Sequence, residues 1–141
     1  MTLRRRRAFT LIELLLVMVI LAVLAALVIP RFAGRSEEAR VKAAQTQILS
    51  LFGTALDVYE ADNGHYPTTA QGLAALRIKP SGAPEPKSWS GPYLKADVPN
   101  DPWGAPYVYR APGTHNPKGY DLASIGPDGR EGTEDDVRNW K

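Results

Sequence analysis

The longest pattern along the chain is a run of apolar side chains close to the amino terminus. Residues 9–29 are apolar except for Thr10 and Glu13, and four arginines at residues 4–7 directly precede the run. A helix rises about 1.5 Å per residue, so this run would span roughly 31 Å, which matches the hydrocarbon core of a bilayer. Basic residues stay on the cytoplasmic side, and the pattern therefore predicts a transmembrane helix with everything after Pro30 on the far side.

The apolar run also has features in common with a secretory signal peptide and with a simple membrane anchor. A secretory signal peptide has a shorter apolar region and small residues at its cleavage site. Here the apolar run is long, and Ile29-Pro30-Arg31-Phe32 at its end does not have those small residues. A simple membrane anchor accounts for the length, but it does not account for Glu13, because a carboxylate in hydrocarbon costs a few kcal/mol. From the residues alone, Glu13 either extends toward the lipid headgroups or pairs with a specific cation, and both remain open.

A second pattern, with helical spacing, begins near Ser36, where a serine and two acids are typical of a helix start. Pro30 is expected to kink or interrupt the helix before this point. Asn63-Gly64 is a strong turn signal and predicts where the pattern ends. We therefore predict the amphipathic half of one long helix, with an apolar stripe turned toward a small domain. The stripe consists of Ala44, Ile48, Leu51, Ala55, Val58 and Tyr59.

The rest of the chain predicts a loop and a small sheet. Residues 78–106 are rich in proline and glycine, but interleaved apolar side chains favour an ordered loop laid over the helix. Residues 107–109 and 120–124 have strand-like side chains on either side of a glycine- and proline-rich connection. The predicted fold class is α+β, with a long N-terminal helix packed against the loop and a small antiparallel sheet. The apolar loop residues are Trp89, Tyr93, Leu94, Val98 and Trp103.

Composition and charge exclude several classes of function. The chain has no cysteine, so disulfides and cysteine-ligated metals are excluded. The formal charge of +2 depends on the four arginines before the apolar run, because the rest of the chain has 13 of the 17 basic residues against 15 acids. The sequence also has no basic patch interleaved with aromatic residues, so nucleic-acid binding is not predicted. Neither His65 nor His115 has a second ligand or a nucleophile at a useful spacing, and both are expected to be ordinary loop residues. No nucleotide or nucleophile motif is present, so an enzyme is not expected.

The C-terminal part of the chain concentrates carboxylates among glycines, in residues 124–136. Calcium takes roughly six to eight oxygens from carboxylates, backbone carbonyls and water, and glycines let carbonyls turn inward. The acids do not have the spacing of an EF-hand. From composition alone, a solvated acidic loop and a calcium site both remain open, with Asp128, Asp135 and Asp136 as the acids of the cage.

The residues around Glu13 carry a family resemblance. Ala8-Phe9-Thr10-Leu11-Ile12-Glu13 follows a short basic leader and opens the apolar run, and in this it resembles the class III signal of type IV pilins and type II secretion pseudopilins. The resemblance implies that prepilin peptidase cuts between Ala8 and Phe9 and that the new amino terminus of Phe9 is methylated. Glu13 would then meet the amine of a neighbouring subunit in a helical filament. The family usually has glycine where this chain has Ala8.

Two further segments narrow the resemblance. Residues 62–73 and residues 100–104, Asn-Asp-Pro-Trp-Gly, are similar to the major pseudopilins of type II secretion. The resemblance implies a structural subunit of a periplasmic pseudopilus, a homo-oligomeric helical filament that helps to drive folded proteins across the outer membrane. The implied partners are the inner membrane, the prepilin peptidase, the minor pseudopilins and the membrane platform of the secretion system.

The resemblance also implies a calcium ion in the C-terminal loop. Bound calcium would lock this loop against the sheet, so that binding energy becomes folding stability. Glu131 and Glu134 are expected to be solvated. The implied ligands are the carboxylates of Asp128, Asp135 and Asp136 and the backbone carbonyls of Ile125 and Thr133.

The predicted organisation consists of a cleaved leader at residues 1–8, a transmembrane and filament-core helix at 9–30, and a periplasmic domain at 31–141. The protein is expected to cross the inner membrane once, with its C-terminal domain in the periplasm, and to join a periplasmic filament after assembly. Two other functions remain open. One is a type IV pilin or minor pilin-like surface subunit, although the adhesive pilins that the chain resembles often carry a disulfide near the C-terminus and this chain has no cysteine. The other is a membrane-tethered calcium-binding module that never polymerises.

Overall fold

The computed structural model describes residues 9–141, without the side chains of residues 27–35. Helix α1 (Leu11–Thr46) is followed by a π-helical segment (Gln47–Phe52), helix α2 (Gly53–Asn63) and a short 3₁₀ helix (Leu73–Leu76). Strands β1 (Val108–Arg110), β2 (Asp121–Ser124) and β3 (Val137–Arg138) form one antiparallel sheet in the order β1-β2-β3. The predicted α+β class, with a long N-terminal helix and a small antiparallel sheet, is confirmed.

Helix α1 begins where the apolar run begins. The Glu13 backbone N–H donates to the Thr10 carbonyl (3.1 Å) and to the Thr10 hydroxyl (3.3 Å), so Thr10 caps the helix. Of the predicted kink or interruption at Pro30, the interruption is wrong, because α1 is continuous from Leu11 to Thr46, and the kink stays a prediction. A proline removes only its own N–H from the helical ladder, and the neighbouring turns can continue.

The chain divides into two compact units, Met1–Glu38 and Ala39–Lys141. In the first unit every described side chain of residues 9–26 is exposed, including Phe9, which is 74% accessible. None of these side chains belongs to the hydrophobic core. The predicted leader, residues 1–8, lies outside the described residues, as do the side chains at the end of the predicted transmembrane segment, residues 27–30. Within the part of the chain that is described, no helix has the length and hydropathy that crossing a membrane requires.

The core of the second unit lies along one face of the π-helical segment and α2. Four members of the predicted stripe are buried, but Leu51 and Val58 are 41% and 47% exposed. Phe52 and Leu56 are fully buried instead. A π-helical turn bonds residue i to residue i+5, and within this segment Phe52 faces the core in place of Leu51. The correctly predicted members are Ala44, Ile48, Ala55 and Tyr59.

Helix α2 ends at Asn63-Gly64, as predicted. Gly64 is in the left-handed region (φ 78°), and its N–H donates to the Glu60 carbonyl at 2.7 Å. The proline-rich loop that follows is ordered and packs on the core, as predicted. Leu94 is buried, and the Trp89 indole N–H donates to the Ala75 carbonyl at 3.0 Å. Partly buried side chains that cover the core from this loop are Trp89, Tyr93, Val98 and Trp103.

The sheet places the acidic C-terminal segment at the edge of the core. Strands β1 and β2 agree with the predicted strands to within one residue at each end. The sequence did not predict β3, which is only two residues long. Its register pairs Ser124 with Val137 and Ala123 with Arg138, and this pairing closes the chain between them into one loop.

Candidate functional site

Residues 125–136 form the loop between β2 and β3, which we call the acidic loop. Its glycines Gly126, Gly129 and Gly132 all have positive φ, with values of 63°, 67° and 92°. A Cβ on Gly126 would lie 2.6 Å from the Asp135 carbonyl oxygen and 2.8 Å from its carboxylate. Only glycine fits here, because the two ends of the loop meet at this point.

Hydrogen bonds join the three aspartates that the sequence predicted as metal ligands. The Thr133 hydroxyl donates to Asp135 Oδ1 (2.5 Å) and lies 3.5 Å from Asp136 Oδ1, so both carboxylates reach one hydroxyl. The other oxygen of Asp135 accepts the Asp128 N–H at 3.2 Å. The Asp128 carboxylate accepts the Arg130 N–H at 2.8 Å. Ile125, the fifth predicted ligand, is half-buried at the base of the same loop.

The oxygen donors of this loop suit a hard cation, but the carboxylates of the loop are not arranged around a common metal position. The available donors are carboxylate and carbonyl oxygens, the ligands that calcium prefers. Among residues 9–141, no three His, Cys, Asp or Glu side chains are arranged to hold a metal ion. The calcium ligands therefore stay a prediction, with four of the five residues already linked by hydrogen bonds of the loop.

Two arginines from the sheet hold the acidic loop. Arg138 Nη2 donates to the Thr133 carbonyl and to Asp136 Oδ2, the latter at 3.1 Å. Arg110, at the end of β1, forms a two-pronged pair with Glu131, with Nη–Oε distances of 2.5 and 3.0 Å. Glu131 is exposed to solvent, as predicted, and the sequence did not predict its pairing with Arg110.

These contacts lower the pKa values of two of the loop acids, Asp135 and Glu131. The Thr133 hydroxyl holds the pKa of Asp135 below its ordinary value, and two backbone N–H groups add to this effect. The Arg110 guanidinium holds the pKa of Glu131 below its ordinary value, and Glu131 in turn raises the pKa of Arg110. Each carboxylate is therefore stabilised in its charged form, which is the form that binds a cation.

A buried network supports the base of the acidic loop. The Ser124 hydroxyl donates to Asp101 Oδ2 at 2.5 Å and accepts the Gly126 N–H at 3.3 Å. The other oxygen of Asp101 accepts the backbone N–H groups of Trp103 (3.1 Å) and Ala105 (2.8 Å). The Asn-Asp-Pro-Trp-Gly segment therefore has a structural use, since its aspartate holds the strand end from which the loop leaves.

The two histidines make structural contacts. His65 Nδ1 lies 3.0 Å from the Tyr66 carbonyl oxygen, in keeping with an ordinary loop residue. His115 does more than we predicted. Its Nδ1 lies 3.0 Å from Asp121 Oδ2, and its ring stacks on Trp140 with 4.4 Å between centroids.

The predicted assembly residues lie at the start of the described chain. Glu13 is exposed in the first turn of α1, where the helix dipole favours a negative charge. Phe9 is exposed, and Ala8, on the other side of the predicted cut, lies outside the described residues. The processing, methylation and assembly roles therefore remain predictions.

Comparisons with known proteins agree over nearly the whole chain. The family described as type II secretion system (T2SS) protein G matches residues 31–140, and the prokaryotic N-terminal methylation motif matches residues 3–29. The chain is 48% identical to the type II secretion system core protein G of Pseudomonas aeruginosa, over 97% of this chain and 96% of that protein. It is 46% identical to the protein of the same name from Escherichia coli K12, over 96% of this chain and 92% of that protein.

A solved structure supports the same assignment. The crystal structure of the major pseudopilin from the type 2 secretion system of enterohaemorrhagic Escherichia coli matches with a TM-score of 0.68 and 39% identity, over 76% of this chain and 87% of that one. The resemblance stated from the sequence is confirmed. The chain belongs to the type II secretion system protein G family, a family of structural pseudopilin subunits and not of enzymes.

Proposed function

We propose that the protein is the major structural subunit of a periplasmic pseudopilus that drives type II secretion across the outer membrane. The observation that carries the proposal is the protein G match over residues 31–140 joined to a methylation motif over residues 3–29. The exposed apolar surface of residues 9–26 supports it, because such a surface requires lipid or other subunits to cover it. The subunit would cross the inner membrane once and then move into the filament.

We propose that assembly begins with processing at the amino terminus. Prepilin peptidase would cut between Ala8 and Phe9, and the new amine of Phe9 would be methylated. In the filament, this amine would pair with Glu13 of a neighbouring subunit. An ion pair in apolar surroundings leaves neither charge unpaired, and a buried polar contact of this kind sets the register between helices. Minor pseudopilins, the membrane platform and a separate assembly ATPase would complete the machine.

Glu13→Ala tests this proposal. The variant is expected to insert and to be cut and methylated like the wild type, but to form no filaments, because the amine of Phe9 then has no partner. Glu38→Ala, which removes an exposed acid further along α1, is the control and is expected to assemble. Mass spectrometry of the mature subunit reports processing, and electron microscopy of overproducing cells reports short periplasmic fibres. Fibres from Glu13→Ala at wild-type abundance would refute the pairing, and an intact leader would refute the processing.

We further propose that the acidic loop binds one calcium ion. Asp128, Asp135 and Asp136 would supply carboxylate oxygens, with the backbone carbonyls of Ile125 and Thr133 beside them. The hydrogen bonds that already join four of these residues support the proposal. When bound, calcium would neutralise the crowded acids. At a hundred times its Kd, a ligand that binds only the folded state adds about 2.7 kcal/mol to the free energy of unfolding.

The stability of an Asp135→Ala variant tests the site. Saturating calcium is expected to raise the Tm of the wild type by roughly 10–20 °C. Asp135→Ala is expected to lose this rise, because its carboxylate is both a proposed ligand and the acceptor of the Asp128 N–H. Glu134→Ala removes an exposed acid from the same loop and is expected to keep the rise. Thermal unfolding with calcium and with chelator makes the comparison. If Asp135→Ala loses as much Tm in chelator as in calcium, the carboxylate is structural and the site is wrong.

A further inference from the structure

We infer that Arg138 is a built-in competitor of calcium in the acidic loop and that it sets the calcium affinity of this loop. The inference rests on the proposed calcium site. Its basis is that one arginine already holds two of the five groups that would bind the ion. Arg138 belongs to β3, opposite Ala123 in the sheet, so the register of the strand delivers its side chain to the loop.

The contacts of Arg138 overlap the proposed ligand set. Its Nη2 donates to the Thr133 carbonyl oxygen and to Asp136 Oδ2. Both oxygens are needed by the proposed site. Arg110, the other arginine at the loop, pairs instead with Glu131, which is outside the proposed ligand set. Arg138 therefore engages the proposed ligands with its charged side chain, whereas Arg130 donates its backbone N–H to Asp128.

Burial gives Arg138 a defined electrostatic role. The Asp136 side chain is only 3% exposed, and a carboxylate so far from water requires a cation or several N–H donors. Without metal, Arg138 supplies the positive charge, together with the Gly132 N–H that donates to the same oxygen at 2.8 Å. A divalent ion on Asp136 would place two cations beside one carboxylate, and their repulsion weakens binding.

The guanidinium of Arg138 is incompletely hydrogen-bonded, so calcium can displace it from Asp136. Within the described structure, its Nε is buried and has no hydrogen-bond partner. A buried donor without an acceptor reduces the net gain from the other contacts of the guanidinium. The Cζ atom already lies 5.8 Å from the centre of the Trp140 ring. A guanidinium that left Asp136 would keep a favourable contact with this ring.

Arg138→Gln tests the inference in the full chain in detergent. Removing the competing charge is expected to tighten calcium binding by at least about tenfold, because that is the order of magnitude for charges a few ångströms apart in water and the effect is larger around a buried carboxylate. The same variant is expected to lower the Tm in chelator, since Asp136 loses its cation. Arg130→Gln is the matched control, because Arg130 is an exposed arginine of the same loop. Its affinity is expected to change by less than about threefold. Isothermal titration with calcium gives the Kd, and thermal unfolding in chelator gives the Tm.

Arg138→Lys keeps a positive charge near Asp136, and it provides a second measurement if the glutamine variant does not fold. It is expected to bind calcium within about threefold of the wild type. Weaker binding by Arg138→Gln would overturn the inference, because Arg138 would then position Asp136 for the ion. Equal tightening in Arg138→Gln and Arg130→Gln would also overturn it, since bulk charge would explain both. A wild type that takes up no calcium would instead refute the site itself.

Discussion

At the scale of single residues, Asp121 shows how a buried acid can organise a loop without a basic partner on its own strand. Its Oδ2 accepts the backbone N–H groups of Thr114 (2.8 Å) and His115 (2.9 Å), and its Oδ1 accepts that of Asn116 (3.0 Å). Gly113 lies so close that a Cβ would collide with the carboxylate. Burial raises the pKa of Asp121, but these donors and the His115 ring outweigh burial and hold the pKa below its ordinary value of 3.8.

The lowered pKa of Asp121 gives a pH-dependent prediction. A depressed carboxyl pKa contributes stability that is present above the unfolded value and is lost as pH falls through the folded value. Asp121→Asn is expected to lower the free energy of unfolding at pH 7 by about 1–3 kcal/mol, because the N–H groups lose a charged acceptor. Below about pH 4 the gap to the wild type should narrow. Urea unfolding at pH 7 and pH 3 measures both effects.

Asp97→Asn is the control for this titration, because the Asp97 side chain is fully exposed and pairs loosely with Arg77 at 3.6 Å. Its free energy of unfolding is expected to follow the wild type within about 0.5 kcal/mol. Asp135 and Glu131 also have lowered pKa values, so some acid sensitivity should survive in Asp121→Asn. A gap that stays constant from pH 7 to pH 3 would show that Asp121 acts only through packing.

At the scale of elements, the π-helical segment decides which face of the long helix enters the core. Members of the predicted stripe are buried on both sides of this segment, but within the segment Phe52 takes the place predicted for Leu51. The Phe52 ring packs edge-on against Tyr107, with centroids 5.0 Å apart. In the same segment, the Tyr107 hydroxyl donates to the Gln47 side chain at 2.5 Å. The wide turn is therefore held by contacts with Tyr107, the residue directly before β1.

Alanine substitutions at adjacent positions test this register. Phe52→Ala is expected to lower the free energy of unfolding by about 3–5 kcal/mol, because it empties a fully buried aromatic site. Leu51→Ala is expected to cost less than about 1 kcal/mol, because Leu51 is 41% exposed. Urea unfolding of both variants makes the comparison. Equal costs would mean that the helix turns with the regular spacing that the sequence suggested.

The same segment shows where prediction from sequence stops at this scale. The ends of α2, the ordered proline-rich loop and the strands β1 and β2 all have local signals in turn residues and aromatic spacing, and each was predicted. The π-helical turn has none, because apolar residues at positions 48, 49, 51 and 52 fit two registers equally well. Strand β3 is two residues long, and only its pairing with β2 makes it a strand.

At the scale of the whole molecule, the sequence predicts the parts of the candidate site that are close together in the chain and does not predict the contacts between distant residues. The acidic loop was recognised because its carboxylates are close together in the sequence, and the predicted aspartates do share one network of hydrogen bonds. The arginines that hold it were missed. Arg110 lies 21 residues before Glu131, and nothing between them indicates that they meet. Arg138 lies two residues after Asp136, and residues two apart in a strand point to the same face. This spacing was the sequence signal that could have indicated their contact.

The family assignment also decides between the functions that the residues left open. A surface type IV pilin and a tethered module that never polymerises both fit an apolar helix followed by a small domain. The protein G match covers residues 31–140, which is the part of the chain that would differ between these classes. The fold class, the family and the absence of enzymatic function are therefore established, whereas the cut, the methyl group and the calcium ion await the experiments above.

The separation of core and apolar segment has a consequence for how a fibre of this protein would grow. All described core side chains lie between Ala44 and Val137, and residues 9–26 bury none of theirs. On the proposed function, a subunit that leaves the lipid would enter the growing polymer with its core already folded. Only the surroundings of its apolar segment would change, from lipid to neighbouring subunits. Extension and retraction would then be limited by extraction from the bilayer and docking, with no refolding step in either direction.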